Sequence, residues 1–321
     1  PLPYRRISLC SASIAKAGHS ARSSAQGLPS SCGKAWGLVG TAALLHCRRS
    51  WKVAPSPRST SRRSFITMAA SVEPSLDDDK EVSAAVEALP WRSIQRSYCV
   101  NLDHRPERWN FMRKQFSQFQ LPVQRFSAVN GRNLNVPQLA EAGLIAKEAL
   151  PRFYLPEEQK LFGTDLTAGG IGCALSHMMI WRDVILQVAH GKAGSDAVFL
   201  VIEDDCQFIG DFSESLLNER ISHVPADWQI IFLGGQDLLR RQHQYQVAPG
   251  VRRLYKGFRE TTAYLINEAG AKACLEVCVP MHWQVDTHLN DESLRQGLRP
   301  LRGDEKEYTM HPRGYCLWPP I

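Results

Sequence analysis

The stretch Val198-Phe199-Leu200-Val201-Ile202-Glu203-Asp204-Asp205 decides how this chain reads. Five apolar residues with no polar alternation predict a strand covered on both faces, as in a sheet flanked by helices. Three acids follow at once. In such folds ligands gather beyond the carboxyl ends of the strands. If the strand continued through the acids, Glu203 and Asp205 would project to one side and Asp204 to the other. Like charges about 4 Å apart repel by about 4 kcal/mol at an effective dielectric near 20, so the cluster needs solvent, a shared proton or a cation. Carboxylate oxygens suit Mg²⁺ or Mn²⁺, which can hold a diphosphate and offset its charge as it leaves. A solvated acidic turn after a core strand is the competing reading.

The flanking sequence supplies the rest of an α/β pattern. Residues 97–102 predict a strand. A helix should follow from Arg105 or Pro106, with Asp103 as cap, Pro near its first turn, and Trp109, Met112, Phe116 and Phe119 on one face. Residues 123–129 predict a second strand, ended by the turn pair Asn130-Gly131. Strand, helix and strand within about 30 residues form a βαβ unit and imply a parallel sheet. Residues 131–168 are punctuated by Pro137, Pro151 and Pro156, with helical pieces such as 138–150, and read as a lid or substrate loop. A glycine-rich turn at 169–172 should open a helix to about Val188. Beyond the acids come a helix at 212–220, a buried strand at 228–233, a strand at 262–266, and a helix at 268–279 capped by Asn267.

Charge divides the 321 residues unevenly. Of 38 Lys and Arg, 11 lie in residues 1–72, which hold no Asp or Glu, leaving 27 basic against 32 acidic residues afterwards. The overall +6 therefore belongs to the leader, and a nucleic-acid partner is not expected. Residues 1–75 read as a basic leader, expected to be disordered, and 76–95 as a linker to a domain over 96–321. Ser, Ala and Arg without acids match a plastid or mitochondrial transit peptide. Secretory entry through the apolar stretch 35–47, or a cytoplasmic product started at Met68, are the alternatives; that stretch is too short to span a bilayer. Nine cysteines show no CxxC pair, and Cys99, Cys173 and Cys206 sit in or beside apolar runs as expected of buried thiols. Cys274, Cys278 and His282 have helical spacing, but Pro280 interrupts it, which argues against a metal there.

Several polar groups fall where strands should end. Asn101 and Leu102 join the first strand to the first helix, where backbone N–H groups with Arg105 and Arg108 suit a nucleotide or its phosphates; two solvated arginines are the alternative. Asn130 and Gly131 are candidates for approach to a base or ribose, or merely a turn. The segment Gly169 to His177 lacks the Lys and spacing of a phosphate loop. Ser176 and His177 remain candidates for contact with a diphosphate, and His177 for orienting a carboxylate; a satisfied core histidine is the alternative. Asp286 is a candidate base on an acceptor hydroxyl or a helix cap.

Taken in order, Asn101-Leu102 with Arg105 and Arg108, Phe126-Ser127-Ala128-Val129-Asn130-Gly131, Gly169 to His177, Glu203-Asp204-Asp205, Thr262-Ala263-Tyr264-Leu265 and Val285-Asp286 resemble glycosyltransferase family 25 over roughly residues 96–290. That family contains lipopolysaccharide-type and procollagen galactosyltransferases. The resemblance implies a Rossmann-like, mainly parallel sheet of the A-type glycosyltransferase class. It also implies transfer of a hexose, galactose by preference, from a UDP-sugar to a glycan, glycolipid or protein hydroxyl with inversion. By the same resemblance Asp205 and Glu203 hold Mn²⁺ or Mg²⁺, Glu203 and Asp204 belong to the donor site, and Asp286 is the base. Two departures stand out: Gly170 where the family has Glu, and Thr262 where it has His. They motivate an alternative, a sugar-nucleotide or glycan binder with weakened turnover. A phosphohydrolase using the acidic triplet fits the metal but not the ordered motifs.

Overall fold

Strand β1 (Ile94–Asn101), helix α1 (Pro106–Gln118) and strand β2 (Gln124–Ser127) form the expected βαβ unit, β1 and β2 pairing in parallel. The computed structural model describes residues 94–208, 212–238, 246–290, 308–309 and 311–321. The leader and nearly all of the linker lie outside the described residues. Arg105, not Asp103, occupies the N-cap position of α1, with no side-chain cap. Asp103 instead accepts hydrogen bonds from Arg125 and Ser127, which ties the first turn to β2.

The Pro-punctuated stretch forms two short α-helices, α2 (Val136–Glu141) and α3 (Leu150–Phe153), with 3₁₀ turns at Gly131–Asn133, Lys147–Ala149 and Glu157–Gln159, rather than one helix over 138–150. Helix α4 (Ala168–Ala189) then runs to strand β3 (Val198–Glu203). The expected glycine turn is instead the first helical turn of α4, capped by Thr167, whose Oγ1 accepts from Gly170 N at 3.0 Å. Close packing explains the glycines: a Cβ on Gly172 would lie 2.5 Å from the Val129 carbonyl oxygen, and one on Gly131 would collide with that of Ala168.

Helix α5 (Glu214–Ser222), strands β4 (Ile230–Phe232), β5 (Gln236–Asp237), β6 (Gln246–Ala248), β7 (Val251–Arg253), β8 (Phe258–Arg259) and β9 (Ala263–Ile266), helices α6 (Glu268–Cys278) and α7 (Val285–Asn290), and strand β10 (Gly314–Leu317) follow. Asn267 caps α6 as expected, accepting from Gly270 N at 2.8 Å. Eight strands pair in the order β2-β1-β3-β9-β4-β10-β7-β6, while β5 and β8 form a separate ribbon. Six of the eight, all but β7 and β9, point the same way. The α/β, mainly parallel sheet flanked by helices is therefore the observed architecture, with β9 reversed between β3 and β4.

Alternation along the strands builds two cores. Phe199, Val201, Phe232 and Tyr264 pack on one face with Met178 and Trp181 of α4 and Cys274 of α6. Leu200, Ile202, Ile231 and Leu265 pack on the other with Met112 and Phe116 of α1 and Leu217 of α5. Each such side chain, fully buried, contributes roughly 1.5–3 kcal/mol. The fold thus fixes the carboxyl ends of β1, β3 and β4 on one rim. The reversed β9 brings its leading residues, not its trailing ones, to that rim.

Candidate functional site

Strand β3 ends at Glu203, and a turn carries Asp204 and Asp205, closed by Cys206 N donating to Glu203 O at 3.2 Å. Strand alternation therefore does not extend through the acids. Glu203 faces α4, whereas Asp204 and Asp205 both meet Arg108 of α1: its Nη1 donates to Asp204 Oδ1 at 2.8 Å and to Asp205 Oδ2 at 3.1 Å. The expected convergence of Glu203 with Asp205 away from Asp204 is thus replaced by an Asp204–Arg108–Asp205 bridge. Asn101 Nδ2 donates to Asp204 Oδ2 at 2.7 Å, and Arg125 Nε donates to Asn101 Oδ1 at 2.7 Å. Buried Asn101 is committed to the protein, and so is buried Asp204. These two hold the rim's shape rather than offer free polar atoms to a donor. Arg105 pairs with Glu107 at the surface. Leu102 continues the same turn, its carbonyl accepting from Arg105 N at 2.9 Å.

The other candidates also divide. Ser176 is fully buried, accepting from Val129 N at 2.9 Å and donating to Gly172 O at 2.7 Å, so it fastens α4 to the loop after β2 and is closed to a diphosphate. Gly131 is buried in the same seam, while Asn130 caps a short 3₁₀ turn by accepting from Arg132 N. His177, also fully buried, lies 2.8 Å from Tyr264 Oη through Nδ1 and 3.1 Å from Glu203 Oε1 through Nε2. Contact with a diphosphate is closed to it, and it orients the carboxylate. Thr261 Oγ1 donates to the same Glu203 oxygen at 2.5 Å. Burial would push the Glu203 carboxyl up, but His177 and Thr261 outweigh it and hold the group below its ordinary value.

Cys173, His177 and Glu203 lie close enough to be considered together as metal ligands. Burial, and after it the nearby acids Glu203 and Asp286, push the Cys173 thiol well above its usual range, and Cys173 Sγ lies 3.8 Å from Glu203 Oε1, which also meets His177. Hard carboxylate oxygens fit Mn²⁺ or Mg²⁺. Asp205 is the most open of the three acids, its side chain 38% exposed against 25% for Glu203 and 11% for Asp204.

Asp286 enters from α7. Its Oδ2 accepts from Glu260 N at 2.9 Å and its Oδ1 from Thr287 N at 2.7 Å. Burial raises its pKa, against the pull of those two N–H groups and of Arg259. Glu260, which no motif marked, stands at φ 79°, a left-handed conformation that costs a non-glycine residue about 1–3 kcal/mol. Burial pushes its carboxyl up to about 7, opposed by the Thr262 hydroxyl and reinforced by Glu203, Asp286 and Asp205. Glu260 and Thr261 are the site residues the sequence reading missed. Their one signal is an acid just ahead of a buried strand, the mirror image of Glu203 just behind one.

Fold and site together define an α/β domain with an acid-lined rim at the ends of β1, β3 and β9. A sequence model of glycosyltransferase family 25 (LPS biosynthesis protein) matches residues 94–289, and the chain belongs to that family. It is 31% identical over 189 residues to a glycosyltransferase 25 family member of Aedes aegypti and 32% identical over 187 residues to procollagen galactosyltransferase 1-A of Xenopus laevis, covering 57% of this chain and 28% of each relative. It is also 29% identical over 225 residues to inactive glycosyltransferase 25 family member 3 of Mus musculus, covering 66% of this chain and 35% of that protein. The chain therefore spans about a third or less of the length of these relatives. Among the described residues no helix is long and apolar enough to cross a membrane.

Proposed function

We propose that this domain transfers a hexose, galactose by preference, from a UDP-sugar to a hydroxyl of a glycan, glycolipid or protein, with inversion at the anomeric carbon. The observation that carries the reading is the acidic rim itself, where Glu203 at the end of β3 and Asp205 of the following turn, the latter bound by Arg108 of α1, stand near enough to Asp286 of α7 for Glu203 to act on its charge. Asp205 and Glu203 are the residues that would hold Mn²⁺ or Mg²⁺, Asp205 first because it is the more open. When bound, the ion supplies positive charge against the pyrophosphate that departs, usually the largest kind of catalytic contribution. Arg108 steadies Asp205 and adds a guanidinium to the donor side. Asp286 lies on the acceptor side, where a carboxylate has to take up the acceptor proton. UDP release from UDP-galactose with Mn²⁺ tests the reading: Asp205→Asn should lose most of the turnover, and equal turnover overturns the metal assignment.

A second reading, a sugar-nucleotide or glycan binder with little turnover, is favoured by Gly170. A Cβ there would stand 3.4 Å from Gln284 Cγ, two residues from Asp286, so the carboxylate this position lacks would have joined the acceptor side. The likeness to a mouse relative named inactive points the same way. Calorimetric binding of UDP-galactose without UDP release across a broad acceptor panel selects this reading.

A further inference from the structure

Glu260 is an acid of the rim that neither the proposed transfer nor, as with Asp204, an arginine bridge accounts for. Its backbone is held by Asp286, whose Oδ2 accepts from Glu260 N at 2.9 Å, and the next residue, Thr261, grips Glu203 at 2.5 Å. Its side chain has far less support. The Thr262 hydroxyl stands 3.3 Å from Glu260 Oε2, and among the described residues no cationic side chain pairs with this half-buried carboxylate. Asp286, by contrast, has an N–H on each oxygen. A left-handed non-glycine residue at such a place is the outlier from which a functional role is inferred, because the surroundings must hold it there.

We propose that the Glu260 carboxylate, rather than that of Asp286, takes the acceptor proton, and that Asp286 is a positioning residue that fixes Glu260 through its backbone. The proposal rests on the transferase reading above. In the step, the acceptor O–H bond breaks and its proton passes to Glu260. The oxygen forms a bond to the anomeric carbon while the bond to UDP breaks, its electron pair leaving on the β-phosphate oxygen. Glu260 returns the proton to solvent once the product has left. The titratable and charged groups around it are Glu203 of β3, Asp205 of the following turn, and Asp286 of α7, with Arg259 acting on Asp286.

The test uses the full chain with UDP-galactose and Mn²⁺, reading UDP release to water and to sodium azide. Azide carries no proton and needs no base. Glu260→Gly suits the left-handed backbone, so it should melt at or above the wild-type temperature. It is expected to lose about 100-fold or more of water-dependent UDP release. Azide should restore most of that rate and yield galactosyl azide of inverted configuration; Glu260→Gln should behave alike. Asp286→Asn, which keeps an acceptor oxygen, should lose less. Water-dependent release at the wild-type rate in Glu260→Gly, or a loss that azide does not restore, overturns the proposal. So does the opposite pattern, with Asp286→Asn the azide-rescued variant, although that leaves the transferase reading standing. A wild type that releases no UDP with either nucleophile defeats both.

Discussion

Arg108 and Asp204, 96 residues apart in sequence, meet at 2.8 Å and lock the first helix to the turn after the central strand. The acid side chain is 11% exposed and the arginine 31%. Removing the guanidinium leaves a mostly buried carboxylate with Asn101 as its remaining hydrogen-bond donor. Arg108→Ala should destabilise the domain by about 2–4 kcal/mol, read from denaturant midpoints. Arg108→Lys should recover only part of that, because the ammonium, on a flexible stem, has to be held at the point from which Nη1 reaches both acids.

The raised carboxyl of Glu260 makes stability depend on pH. Below the unfolded-state value near 4.5 both states are protonated there and the group is neutral in its effect. As pH rises toward the folded value of about 7, the unfolded chain ionises first, so this residue lowers stability progressively across that window. The penalty reaches at most about 3 kcal/mol above neutrality, since each pKa unit is worth about 1.4 kcal/mol. Glu260→Gln should therefore be more stable than wild type at pH 8 by up to that amount, with the advantage vanishing near pH 4. Thermal melts of both proteins over this range decide it, and a constant difference would contradict the assignment.

A second buried acid works with the opposite sign. Asp165 Oδ1 and Oδ2 accept from Arg152 Nε and Nη2, each at 2.5 Å, and Oδ2 also accepts from Leu161 N at 2.6 Å. Arg152 is the main reason the Asp165 carboxyl lies below its ordinary value. Its stabilisation is present above pH 4 and disappears as pH falls through the lowered value. Asp165→Asn should cost roughly 1–3 kcal/mol at neutral pH, discounted because Arg152 is 39% exposed, and the deficit should shrink in acid. The pair closes a loop whose far end is tied to α7, where Thr287 Oγ1 donates to Gly163 O and Gln284 N to Thr164 O. Limited proteolysis should accordingly cut near Phe162, which is 83% exposed, faster in the variant.

Two neighbouring helix glycines should respond in opposite directions to alanine. At Gly169 the nearest atom to an added Cβ is Thr167 Oγ1 at 3.9 Å, so Gly169→Ala should stabilise by about 0.5–1 kcal/mol through helix propensity. At Gly172 the Cβ would meet backbone atoms, Val129 O at 2.5 Å and Gly131 N at 2.6 Å. Gly172→Ala should therefore destabilise by about 1–3 kcal/mol despite the same propensity gain. Paired melting curves are sufficient to test this.

The parts of the fold legible in the sequence were those written in local pattern. The apolar run of β3, the Pro at the start of α1 and the Asn267 cap each carry their physics within a few residues. The buried thiols Cys99 and Cys206 were legible from the apolar runs around them, whereas Cys173, read the same way, is only partly buried. What escaped depended on contacts far along the chain. Alternation gave the wrong partners for Asp205 because β3 stops at Glu203, and only Arg108, from another element, shows where the turn points. Ser176 read as a polar group at the rim, yet Val129 N claims it. Glu260 sits in Arg-Glu-Thr-Thr, which has no periodicity, and its importance comes from a backbone angle and from Asp286, 26 residues later.

Because β9 runs against its neighbours, the segment that approaches the acids is the lead-in to a strand and not the entry to a helix. Helix entries are burdened with capping, as Thr167 and Asn267 illustrate. The three residues 260–262 cap no helix; they are instead tied to the acids themselves, Glu260 through its N–H to Asp286 and Thr261 through its hydroxyl to Glu203. A change within this tripeptide is therefore felt first by the carboxylates of the rim, and the helix entries capped by Thr167 and Asn267 lie outside its reach.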